Sequence, residues 1–156
     1  EIVEDEVEIE KELEIEDTGR LKHFTSAFGE HVIAEEVEKS LEETIKEQYA
    51  QINEFHVAPE VSPDSGLPYH CWYIEFEQEP KDLQKFIGKL DLEMQNINTY
   101  YKDLISGSVL KRLEVVIIKK EGFRKYMHSI GKLGGQNKVP RLANDKKIAE
   151  KIIQFI

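Results

Sequence analysis

Apolar and polar positions change period several times along the chain, and each change marks an element. Residues 7–16 read V-E-I-E-K-E-L-E-I-E. Val7, Ile9, Leu13 and Ile15 fall on one side at period two, with glutamates on the other, which is a strand pattern. A row of glutamates repels itself, so this segment is either an additional strand with a partner or an exposed acidic arm. Asp17-Thr18-Gly19 signals a turn, and Leu21 to Ala27 predicts a short strand. Ile33, Val37, Leu41 and Ile45 then recur every four residues, predicting a helix. Ser26 or Glu30 lies near its start, and Glu35, Glu36 and Glu38 favour its early turns. Gln51 to Val57 reads as a strand and Pro59 to Pro68 as a loop.

The clearest strand is Tyr69 to Glu77. His70, Trp72, Ile74 and Phe76 share one face, and Tyr69, Cys71, Tyr73 and Glu75 the other. Pro80 and Asp82 open a helix whose stripe is Leu83, Phe86, Ile87, Leu90, Met94 and Ile97. A second helical piece runs from Asn98 to Ile105 and stops at Ser106-Gly107-Ser108. Val109 to Ile118 is predicted as a strand, β-branched toward its end. Gly122 to Ile130 is predicted helical, followed by a glycine loop. A last helix carries Ile148, Ile152 and Phe155, with Asn144 or Asp145 as its cap. This order implies an α+β fold, with helices packed on a small mixed sheet of three to five strands. Residues 18–156 form one domain, preceded by the arm at 1–17.

Charge sharpens this division. The arm holds ten Asp/Glu and one Lys, so it carries most of the formal −10. Residues 111–147 hold eleven Lys/Arg against three Asp/Glu. A basic segment on a nearly neutral body suits a local anionic partner such as a phosphate, or is a solvated surface. Overall acidity and the lack of zinc-finger spacing argue against nucleic acid. No apolar run approaches the roughly 20 residues of a membrane span. Cys71 is the sole cysteine, which excludes an internal disulfide and points to a cytoplasmic setting.

The chemistry is less explicit. His23, His31, His56, His70 and His128 are scattered. His70 and Cys71, neighbours on a strand, face opposite ways, so no metal site is expected. His70 on an apolar face reads as a hydrogen-bonded core residue. The segment G-K-L-G-G-Q-N-K-V-P-R-L (131–142) is not a P-loop, since Ser/Thr does not follow the lysine. Gly134 and Gly135 would let the backbone approach a ligand. Pro140 would stiffen the exit, leaving Lys138 on a short tether with Arg141 nearby. Two readings stand: a solvated lysine, or a cation placed to stabilise charge on a reacting carboxylate and phosphate.

Four segments decide how the chain is read as a whole. G-R-L-K-H-F-T-S-A-F-G-E-H-V-I-A-E-E-V-E (19–38), G-L-P-Y-H-C-W-Y-I-E-F-E (66–77), I-N-T-Y-Y-K-D-L-I-S-G-S-V-L (97–110) and the glycine loop together resemble the C-terminal domain of the auxin-responsive acyl-acid amido synthetases. The bacterial relatives resemble it more than the plant enzymes. This family belongs to the adenylate-forming ligases, and the resemblance covers about Thr18 to Glu150. It implies a separate, large N-terminal domain that binds ATP with Mg2+ and a carboxylic acid and makes an acyl-AMP. The small C-terminal lid then swings, and the acyl group passes to an amine or amino acid. Lys138 matches the lysine this family inserts into the adenylation site. Arg20, just after the hinge, and Arg141 are implied as nucleotide or interdomain contacts. Lys22, His23, Phe28, Gly29 and Glu30 are implied as the face turned toward acyl transfer. Several hundred residues are expected before Gly19 in that family, so the chain by itself is expected to fold without turning over. The alternatives are the lid of an acyl-CoA-forming ligase, a stand-alone binding module that keeps the fold without the chemistry, or an arm that recruits a basic partner.

Overall fold

In the computed structural model, residues 24–132 and 138–156 are described. The arm strand expected over 7–16 lies outside them, as do Arg20, Lys22, His23, Gly134 and Gly135. The elements are β1 (Phe24–Thr25), β2 (Val32–Ile33), α1 (Ala34–Gln48), β3 (Gln51–Glu60), β4 (Tyr69–Gln78), α2 (Leu83–Ile97), α3 (Thr99–Ser106), β5 (Glu114–Ile118), α4 (Gly122–Ser129) and α5 (Lys147–Ile152), closed by a 3-10 turn at Ile153–Phe155. β1 and β2 form a small antiparallel pair, with Thr25 opposite Val32. The main sheet has three strands in the order β3-β4-β5. β3 and β4 are antiparallel, while β4 and β5 are parallel, with Cys71 opposite Glu114. The sheet is therefore mixed, as expected.

β4 lies in the middle because both its faces are apolar. Trp72, Ile74 and Phe76 join Val37, Leu41, Phe86, Leu90 and Met94 of α1 and α2 in one core cluster. Cys71 and Tyr73 on the opposite face join Ile118, Phe123, Tyr126, Ala149 and Ile152 in a second. Each face of the strand is thus covered by its own helices, which is why the run is nearly continuous in apolar residues.

Three boundaries differ from the sequence reading. Pro59 is not in a loop: β3 continues to Glu60, with Pro59 opposite His70. Val57 turns its N–H and C=O to the outer edge, where they bond Arg141 and Ala143. Pro59, two residues on, presents the same edge, so its missing N–H costs no bond to β4. β5 begins at Glu114 rather than Val109. The preceding residues are held otherwise, Lys111 N–H by the Pro68 carbonyl at 3.0 Å and Leu113 N–H by Asp91 at 3.1 Å. Helix α1 starts after Ile33, beyond Ser26 and Glu30. The Glu36 side chain accepts the Ile33 N–H at 3.2 Å, satisfying one donor of the first turn.

α4 has an unusual start. Buried Glu75 of β4 accepts the N–H groups of Glu121 at 3.1 Å and Phe123 at 3.2 Å. A carboxylate there complements the positive end of the helix. Gly122 is required at this point, because an added Cβ would lie 2.5 Å from the Ile118 side chain. The cap position of α5 is Lys146 rather than Asn144 or Asp145, and it makes no side-chain capping bond; Asp145, one residue earlier, accepts the Lys147 N–H at 3.0 Å.

Candidate functional site

The lysine of the glycine loop sits at a boundary. Lys138 is exposed, and the next residue, Val139, is buried in the second core cluster. A residue preceding proline is confined to extended backbone, so Val139 leads directly into a rigid run. Leu142, three residues further on, is buried in the first cluster. The segment therefore crosses the outer edge of β3 with one anchor on each face of the sheet.

Backbone bonds stitch this segment to β3. The Val57 N–H donates to the Arg141 carbonyl and the Ala143 N–H to the Val57 carbonyl, both at 2.9 Å. Together they make an isolated parallel bridge between Val57 and Leu142. The Pro140 carbonyl lies 2.6 Å from His56 Nδ1. A carbonyl can only accept, so Nδ1 carries the hydrogen and donates. His56 is fully buried, and burial pushes its pKa below the ordinary 6.5 although the Pro140 bond and Asp145 act the other way.

Arg141 turns back onto the domain. Its Nε donates to Glu54 at 3.1 Å, one terminal nitrogen donates to Glu38 at 3.2 Å, and the guanidinium lies over the Phe55 ring.

The second predicted segment adjoins the first. Between β1 and β2, residues 26–31 form a tight loop with Gly29 at φ +87° and His31 at φ +48°. Thr25 Oγ1 donates to the Ala143 carbonyl at 2.7 Å, and Ser26 N–H donates to Asn144 Oδ1 at 2.9 Å. Segments far apart in sequence are thus tied together, Phe28, Gly29 and Glu30 on one and Lys138, Pro140 and Arg141 on the other. Gly29 is exposed, and Phe28 packs partly on the first core.

Glu30 lies inside. Its side chain has no exposed surface, and it accepts from His70 Nε2 at 2.6 Å and from the Phe28 N–H at 2.8 Å. Burial alone would raise its pKa, but the hydrogen bond and charge of His70, with two backbone donors, hold it below the usual carboxyl value. The expected role of His70 as a bonded core residue is what the structure has. Asn98 completes the clamp by donating to the Glu30 carbonyl at 3.1 Å and to Glu36 at 3.0 Å.

Sequence reasoning did not find the parts played by His56, Asn98 or Asn144. His56 offered a signal, since a histidine inside Phe55-His56-Val57-Ala58 needs a partner once both faces are covered. The partner, more than 80 residues away, carried none.

Among the described residues, no group of three or more His, Cys, Asp or Glu is gathered to hold a metal ion. None of their helices is long and apolar enough to cross a membrane. Cys71 is a buried free thiol, with its pKa pushed up to about 11, mainly by burial.

The family model for the GH3 family C-terminal domain matches residues 35–147. The chain belongs to the GH3 family. Its fold is shared by solved structures, among them a GH3.15 acyl acid amido synthetase (TM-score 0.67, 15% identity). Another is AtGH3.15 acyl acid amido synthetase in complex with 2,4-DB (TM-score 0.66, 14% identity). Each match covers 86% of this chain and 26% of the other, so the GH3 domain spans about a quarter of those proteins' length. No curated protein sequence matches the chain.

Proposed function

We propose that this GH3 domain is the mobile lid of an ATP-dependent acyl acid amido synthetase, and that Lys138 is its catalytic residue. The observation that carries this reading is the position of Lys138, exposed and directly joined to a segment buried on both faces of the sheet. An ammonium placed in this way can be delivered as part of a rigid body. In the adenylation step it would bridge the acid's oxygen and the α-phosphate of ATP, where negative charge builds up during attack. A pre-aimed cation in a water-poor site is worth far more than one in water. As residues without a Cβ, Gly134 and Gly135 would let the backbone come close to a ligand, and Pro140 sets the exit.

Other residues take supporting roles in this reading. Arg20 contacts the nucleotide or the partner domain. Arg141 reaches the nucleotide by exchanging its present ion pairs, which are partly exposed and worth roughly 1 kcal/mol or less each. Lys22, His23, Phe28, Gly29 and Glu30 form the acyl-transfer face, with buried Glu30 shaping the loop from within. Mg2+ would accompany ATP, held by the nucleotide and the adenylation domain. The partners are that domain, a carboxylic acid, and an amine or amino acid. A lone buried thiol suits a cytoplasmic enzyme.

The test separates the half-reactions in a GH3 enzyme carrying this domain. Lys138→Ala should slow acid-dependent pyrophosphate exchange by roughly 10²–10³ while sparing aminolysis of supplied acyl-AMP. Equal loss in both would overturn the assignment.

A further inference from the structure

His56 is the least expected residue of the β3 core. It is fully buried, its neighbours on the strand are apolar, and one of its two ring nitrogens has work to do. Nδ1 donates to the Pro140 carbonyl at 2.6 Å, while Nε2 is buried without a hydrogen-bond partner. A buried polar atom left unpaired is a cost. Phe, Leu or Val would fill the site without it. The arrangement becomes reasonable if the Nδ1 bond is what the position supplies.

That bond is placed where it matters for Lys138. Pro140 has no N–H, so its carbonyl is the only backbone hydrogen-bonding group it can offer. The next contacts along the segment are the two bonds to Val57, the residue that follows His56. His56 and Val57 together hold Pro140, Arg141 and Ala143. Of these anchors, the His56 bond lies nearest in sequence to Lys138 and is the one made by a side chain.

We infer that His56 is a positioning residue for Lys138: by donating to the Pro140 carbonyl it fixes the root of the catalytic loop against β3, and through that root the reach of the ammonium. The inference rests on the catalytic reading of Lys138. It adds a residue outside the four segments that carry the family resemblance. The geometry also specifies which substitutions should work. Asn places an amide N–H close to where Nδ1–H lies and needs nothing at Nε2. Phe keeps the ring volume and loses the donor.

Amide hydrogen exchange on the 156-residue chain is the first readout. His56→Phe should lower protection of the Val57 and Ala143 N–H groups by about tenfold relative to Ile74 at the centre of β4. His56→Asn should restore most of it. Unchanged protection in His56→Phe, an equal loss at Ile74, or an Asn variant as loose as the Phe variant would overturn the inference.

Kinetics form the second readout, in a GH3 enzyme carrying this domain. His56→Phe should lower kcat for pyrophosphate exchange by about 10- to 100-fold with KM for ATP nearly unchanged, and Asn should recover it. If Lys138→Ala abolishes exchange of pyrophosphate while His56→Phe leaves kcat intact, only the positioning role fails. If Lys138→Ala itself leaves the rate intact, the catalytic reading fails and the positioning role falls with it.

Discussion

The two adjoining segments, 24–31 and 138–144, solve the same problem by opposite means. Each must hold an irregular backbone in one shape, the first against His70 of β4 and the second against β3. The first does so with charge taken inside: Glu30 and His70 pair at 2.6 Å with both side chains almost fully buried. The second uses backbone bonds and neutral side chains, those of His56, Thr25 and Asn144, and keeps its charges toward the surface, on exposed Lys138 and half-buried Arg141. A buried carboxylate is expensive to separate from its donor, because removing one partner strands the other without a hydrogen bond in a low-dielectric site. An exposed lysine has no such debt to its own fold. A motif residue can therefore act through the shape it enforces or through the charge it presents, and burial tells the two apart.

The contrast can be broken by stability measurements, beginning with the largest effect. Glu30→Ala should cost about 3–5 kcal/mol in urea unfolding, since His70, Phe28 N–H and the loop all lose their acceptor. A cost near zero would mean that the pair is dispensable and that the two segments do not differ in kind. Acid should reach the same interaction without mutation. Glu30 has a lowered folded pKa, so its contribution is complete above the unfolded value of 4.5 and is lost as pH falls through the lower folded value. His56 also has a lowered folded pKa, so the unfolded chain binds its proton first and stability begins to fall below 6.5. The urea midpoint should thus decline in two limbs. Glu30→Gln should remove the lower limb and His56→Asn the upper one.

Smaller effects sharpen the comparison. Arg141→Met should cost about 0.5–1 kcal/mol, as its ion pairs are partly exposed and its stem still covers Phe55. Lys138→Ala should change the unfolding free energy by less than about 0.5 kcal/mol, although under the proposed role it should have the largest effect on adenylation. Thermal melts of these five variants, set beside pyrophosphate-exchange rates, would show whether the rankings for stability and chemistry run in opposite directions.

Much of the architecture was legible in advance. The four-residue repeat from Ile33 to Ile45 marked α1, and the apolar stripe from Leu83 to Ile97 marked α2. The alternation along Tyr69–Glu77 marked a strand, and the structure added that both its faces are covered. These signals are local, set by how side chains point along a helix or a strand. Errors fell where a distant partner decides. Pro59 could stay in β3 because its side of the strand is an outer edge. Residues 109–113 could not start β5 because Asp91 and Pro68 hold their backbone first.

The sequence by itself determined the alternation of elements, the class of fold, and the likeness that singled out Lys138. Those depend on periodicity and on residue types read in order. Only the tertiary structure decided that Glu30 turns inward to His70, that Thr25 and Ser26 meet Ala143 and Asn144, and that His56 holds Pro140. The reason is physical: a buried polar group must find its partner wherever the chain brings one. Such pairs lie 40, 118 and 84 residues apart here, far beyond the range over which a repeat in the sequence can speak.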